Sequence, residues 1–153
     1  MLRVLYDQAF RRSLLRDLLI LARRLRDDDP ELAIGALGFS VGGKLAMQLA
    51  EEADAAACVA YSAEPAVGTT RENARARILM IYGSEDHFMI RGLQRFVKEL
   101  AKRGGELDLK IYPSSGHEFF DPSDKRAYRA GPAEDAWAAT VEFLKENLSV
   151  DNE

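Results

Sequence analysis

The stretch Leu32-Ala33-Ile34-Gly35-Ala36-Leu37-Gly38-Phe39-Ser40-Val41-Gly42-Gly43-Lys44 decides the fold. An apolar run over 32–39 leads straight into Gly38-Phe39-Ser40-Val41-Gly42. A helical pattern over 42–53 leads straight out, with Lys44, Leu45, Met47, Leu49 and Ala50 on a helical period. A G-x-S-x-G set between a strand and a helix makes a sharp turn that lifts the serine hydroxyl above the sheet edge. Its glycines are expected to remove Cβ atoms that would clash where strand and helix pass close by. The N–H of Val41 then opens a helix, whose partial positive charge suits it to hold an oxyanion. Two other readings compete. Ser40 can be an ordinary turn serine. Gly38–Lys44 also fits most of a phosphate-binding loop, G-x-x-x-x-G-K, but Leu45 stands where that loop needs Ser or Thr to hold magnesium.

Further apolar runs lie at Ala56–Tyr61, Arg77–Tyr82 and Leu107–Tyr112. With Leu32–Phe39 they read as strands buried on both faces of a parallel sheet. Helical patterns separate them: residues 7–28, rich in leucine and arginine; 89–103, ending at Gly104-Gly105; and 132–148, opening at Pro132. Residues 62–76 read as a loop with room for a short helix. Alternating strands and helices argue for an α/β fold with a mostly parallel sheet flanked by helices. A length of 153 residues fits one domain with a real core.

The third run ends in Tyr82-Gly83-Ser84-Glu85-Asp86-His87, and the fourth in Tyr112-Pro113-Ser114-Ser115-Gly116-His117. Both place polar candidates just past the carboxyl end of a parallel strand, where open α/β sheets hold their ligands. A serine hydroxyl needs a base to take its proton, and an imidazole base needs a carboxylate to orient it. Of the two histidines, His87 directly follows the acid, where adjacent side chains rarely meet, so His117 is the candidate base. Asp86 is preferred to Glu85 because it lies deeper in its loop. The plain alternatives are turn carboxylates and an exposed loop histidine. A metal site from Glu85, Asp86, His87, His117 and Glu118 lacks the i, i+4 pair of a helical zinc motif. Cys58, amid alanine and valine, reads as a small core residue. Phe88, Phe119 and Phe120 are candidates for pocket lining or for packing.

A net charge of −4 is too mild to imply nucleic acid or an anionic membrane surface as partner. Arg16, Asp17, Arg23 and Arg24 interrupt the leucines of 14–25, so that segment reads as neither a membrane span nor a signal core. One cysteine excludes an internal disulfide and suits a cytoplasmic location.

Three sets of residues carry a resemblance to the dienelactone hydrolase family of α/β-hydrolases. They are Gly38-Phe39-Ser40-Val41-Gly42-Gly43, then Tyr82-Gly83-Ser84-Glu85-Asp86, then Tyr112 through Gly116-His117-Glu118-Phe119. The order serine, acid, histidine is that of the fold. Residues 128–148 are similar to the family's final helix. The resemblance implies a shortened α/β-hydrolase fold, with 1–30 as an N-terminal helix region, 31–148 as the catalytic core and 149–153 as a frayed tail. It implies cleavage of a carboxylic ester or lactone by Ser40, His117 and Asp86, with the Val41 N–H as oxyanion donor and no metal or cofactor. Two departures stand out. The namesake enzymes use cysteine where this chain has Ser40, which points to a serine esterase-like relative. Family members also carry strands and an oxyanion-donating loop before the elbow, and these have no counterpart here. Losing such a donor costs about a hundredfold to a thousandfold in rate. The alternative is therefore a weakly active or inactive binding module. The strand 32–39 would also become a sheet edge, which invites a homo-oligomer through that strand or the N-terminal region, with Leu2–Tyr6 as a covering strand.

Overall fold

The computed structural model describes residues 7–65, 76–102, 104 and 107–149. The suggested short helix within 62–76, the covering strand Leu2–Tyr6 and most of the expected frayed tail lie outside these residues. The first helix, α1 (Gln8–Asp28), starts where the Asp7 side chain accepts the N–H groups of Ala9 and Phe10, two donors a helix start leaves unpaired. Its far end is tied down by Arg26, which donates to the carbonyls of Ala53 and Asp54. There follow β1 (Gly35–Phe39), α2 (Val41–Glu52), β2 (Ala57–Tyr61), β3 (Arg77–Gly83), the short α3 (His87–Ile90), α4 (Leu93–Lys102), β4 (Leu107–Tyr112) and α5 (Ala130–Leu148).

The strands form one parallel sheet in the order β1-β2-β3-β4, in register from Gly35 beside Ala57 to Gly83 beside Tyr112. One face carries Ala36, Cys58, Ala60, Ile78, Met80 and Tyr82 against Ala46, Met47 and Ala50 of α2 and Leu93, Phe96 and Leu100 of α4. The other carries Ala57, Val59, Tyr61, Leu79 and Ile81 against Ala136 and Phe143 of α5 and against Phe119. Small residues on β2 let the helices approach closely, while Met80, Ile81 and Tyr82 on β3 fill the volume. The α/β expectation therefore holds, with a correction. Only β2, and β3 beyond Arg77, are buried throughout; β1 alternates exposed and buried, and β4 is mostly exposed. Each outer strand has one neighbour among the described residues, and three of the five β1 residues and four of the six β4 residues are exposed.

The helical pattern over 89–103 divides. Asp86 accepts the N–H of Met89 and caps the brief α3, and Gly92 then turns the backbone to φ +91° before α4 begins. That left-handed conformation is open to glycine and ends the first helical segment.

Candidate active site

All three candidate side chains converge at the carboxyl edge of the sheet. Ser40 sits between β1 and α2 with φ 52° and ψ −118°, a backbone state that L residues rarely hold. Two contacts keep it there. The N–H of Ser40 donates to the Tyr61 carbonyl at 2.7 Å, and its own carbonyl accepts the N–H of Gly43 at 3.0 Å. A Cβ on Gly38 would lie 2.1 Å from the Gly42 carbonyl oxygen, and one on Gly43 would lie 2.7 Å from Ala63 Cβ. Gly38 is therefore demanded by the close crossing of β1 and α2, and Gly43 by the packing of α2 against the chain that leaves β2. Gly42 is not, because a Cβ there would meet nothing within 4 Å. This corrects the expectation that the motif's glycines all serve that purpose: Gly42 contributes its backbone to the crossing, not an absent side chain.

His117 Nε2 lies 3.0 Å from Ser40 Oγ, and His117 Nδ1 lies 2.6 Å from Asp86 Oδ2. Asp86 is buried at 8% exposure, whereas Glu85 and His87 are exposed. The geometry thus brings together Ser40, His117 and Asp86, and leaves Glu85 and His87 outside. Val41 is the first residue of α2, so its N–H has no acceptor within the helix. Of the aromatic candidates, Phe119 is fully buried in the core and Phe88 is 72% exposed. Phe120 packs against Phe39 and Tyr61, with ring centroids 5.1 and 5.2 Å away. Lys44 points elsewhere, to Glu64 at 2.6 Å.

Further contacts hold the histidine loop in place. Ser62, fully buried with φ 44°, donates its hydroxyl to the His117 carbonyl at 2.8 Å. The N–H of Glu85 donates to Ser115 O at 2.9 Å, and the N–H of Ser114 donates to Ser84 Oγ at 3.1 Å. These bonds need the end of β3 to touch the loop after β4. Gly83 permits this, since a Cβ there would lie 2.1 Å from Ser115 O. A signal for Gly83 exists in the Tyr82-Gly83-Ser84 sequence after an apolar run. None exists for Ser62, whose partner is distant in the chain.

Burial also shapes the titratable groups around the site. It pushes the Cys58 thiol up to about 12, which keeps it protonated and poorly reactive. Burial, and then the nearby Asp86 carboxylate, raise the Tyr82 phenol, whose hydroxyl donates to Ala63 O at 2.8 Å. Among the described residues, no group of three or more His, Cys, Asp or Glu side chains is placed to hold a metal ion. No helix among them is long and apolar enough to cross a membrane.

Comparison with known proteins gives a consistent picture. The model of the dienelactone hydrolase family matches residues 3–148. A Saccharolobus solfataricus protein named "Putative carboxymethylenebutenolidase" is 35% identical over 113 residues, covering 73% of this chain and 44% of that protein. Protein usf of Aquifex pyrophilus is 28% identical over 120 residues, covering 76% of this chain and 52% of its own. The chain thus spans about half the length of these curated relatives. Among solved structures, the dienelactone hydrolase of Anabaena variabilis superposes with a TM-score of 0.72 at 24% identity, over 97% of this chain and 66% of that one. An α/β hydrolase from a deep-sea metagenome library, MGS-M1, gives 0.71 at 18% identity, over 89% and 65%. At these identities the structures speak for the fold.

Proposed function

This chain belongs to the dienelactone hydrolase family, and on that premise we propose that it is a serine hydrolase cleaving a carboxylic ester or lactone. The observation that carries the reading is the unbroken hydrogen-bond chain from Ser40 Oγ through His117 to Asp86. His117 Nε2 takes the Ser40 proton as Oγ attacks the carbonyl carbon. The Asp86 carboxylate accepts from Nδ1–H, fixes the tautomer and stabilises the imidazolium that forms. The carbonyl oxygen, now an anion, meets the N–H of Val41 at the N-terminus of α2. Collapse expels the alkoxide, which leaves with the proton from His117. Water, deprotonated by the same imidazole, then attacks the acyl-enzyme and frees the acid and Ser40. None of these steps calls on a cofactor. The family's namesakes attack through a thiolate. With serine here the base must remove a far less acidic proton, so the 3.0 Å contact between His117 and Ser40 becomes indispensable.

Turnover of p-nitrophenyl acetate by the wild-type chain and by Ser40→Ala tests the proposal. The expected result is hydrolysis with a pre-steady-state burst in the wild type and neither in the variant. Equal turnover by a folded Ser40→Ala protein would contradict it. A folded wild type with no turnover of any ester or lactone would favour the binding-module reading instead.

A further inference from the structure

The outer edge of β4 lies across the sheet from Ser40, and no strand among the described residues pairs with it. Leu109 is 41% exposed and Ile111 44%, and Val97 of α4 beside them is 37% exposed. With Ile90 and Leu93 they line a groove of about 920 Å³.

The direction of the backbone on this edge follows from one bond. The N–H of Ser84 donates to the Tyr112 carbonyl at 2.8 Å, so Tyr112 turns its backbone polar groups toward β3. Alternation along the strand does the same for Lys110 and Asp108, and turns those of Leu107, Leu109 and Ile111 to the open side. An added antiparallel strand must set outward residues against outward residues. For a second β4 this leaves three central registers. Centring on Asp108 opposes Asp108 to itself, and centring on Lys110 opposes Lys110 to itself. Centring on Leu109 sets Asp108 opposite Lys110 of the second copy, twice, and Leu107 opposite Ile111, twice. That register pairs five residues of β4, as many as centring on Lys110 and more than centring on Asp108, so the charges decide between them.

We propose that a second copy of this chain docks here, β4 against β4 and antiparallel about Leu109, joining two sheets into one. The contact is self-complementary under a two-fold axis, as a closed dimer requires. Leu107, Leu109 and Ile111 share the face that carries α4, so the two apolar grooves become continuous across the axis. The charges already have exposed partners within the chain, Asp108 with Arg77 at 3.2 Å and Lys110 with Asp135 at 3.7 Å. Dimerisation extends these pairs into a network. The other outer strand of the described sheet, β1, offers no such selection, because Gly35–Phe39 carries no charged residue to set register or partner.

Sedimentation velocity over a micromolar concentration series tests the proposal. The wild type is expected to dimerise. Asp108→Lys and Lys110→Asp each replace two attractive cross-strand pairs by two repulsive ones, which weakens the dimer by at least about tenfold in Kd. The double variant restores the opposition and should recover dimerisation. Leu109→Lys leaves both native charges in place but opposes lysine to itself, and must yield monomer; it serves if the charge variants fold poorly by circular dichroism. Leu37→Lys on β1 must leave the dimer intact. A wild type that stays monomeric overturns the proposal. So does a dimer indifferent to the single changes, or a double variant that does not recover.

Discussion

Replacing Gly38 by alanine places a Cβ 2.1 Å from the Gly42 oxygen and 2.6 Å from the Gly43 nitrogen. Ordinary carbon–oxygen contact is about 3.3 Å, so α2 must retreat from β1 by roughly 1 Å. Ser40 rides on the joint between the two elements. Its Oγ is 3.0 Å from His117 Nε2, and a further ångström takes the pair out of hydrogen-bond range. Misplacement on that scale costs about a hundredfold in rate. The forced separation also strains a packed layer, at about 1–3 kcal/mol of stability. Gly42→Ala is the control within the same motif. Its Cβ meets nothing within 4 Å, and helix propensity favours alanine by up to about 1 kcal/mol. Urea denaturation and p-nitrophenyl acetate turnover should therefore separate the two, with Gly38→Ala unstable and slow, and Gly42→Ala equal to or firmer than wild type. Equal damage from both substitutions would refute the crossing argument. So would a Gly38→Ala protein with native turnover.

Other outcomes follow from the same contacts. Asp86→Asn keeps the shape of the site but leaves the imidazole without its anionic partner, and turnover should fall by about four orders of magnitude as in other triads. Ser62→Ala removes the hydroxyl that holds the His117 carbonyl at 2.8 Å. It should cost about 0.5–1.5 kcal/mol in urea titrations and slow turnover while leaving the nucleophile in place. Buried Cys58 stays protonated to about pH 12, while in the unfolded chain it ionises at its ordinary value of 9.0. Between those two values the unfolded state holds fewer protons, so stability should fall by about 1.4 kcal/mol per pH unit on this account. Subtracting the profile of Cys58→Ala isolates the effect, and parallel profiles would contradict it.

Much of this site was legible because its signals are local. The apolar run into Gly38 and the helical run out of Gly42 define the elbow within a few residues. Asp86 and His117 each follow a strand end, where parallel topology collects side chains on one edge. What escaped reading depends on distant partners. Ser62 and Ser115 matter only because β2, β3 and the histidine loop meet, and no spacing in the chain encodes that meeting. Gly83 stood in a recognisable motif, yet its purpose emerges only when Ser115 is seen against it. The exposure of β1 and β4 is hidden because run composition does not reveal the number of neighbours a strand has. In β4 the alternation of Leu107, Leu109 and Ile111 with Asp108 and Lys110 carried the correct sign of an edge. The short α3 was hidden because Asp86 serves both as a cap and as the histidine's partner.

The central claim is that Ser40 is a nucleophile activated by His117 and Asp86. The most direct measurement is intact-protein mass spectrometry after treatment with a fluorophosphonate, with peptide mapping of the adduct. The account predicts a single adduct on Ser40, absent from Ser40→Ala and strongly slowed in His117→Ala. A folded wild-type protein that takes no label, or takes it at another residue, would contradict it.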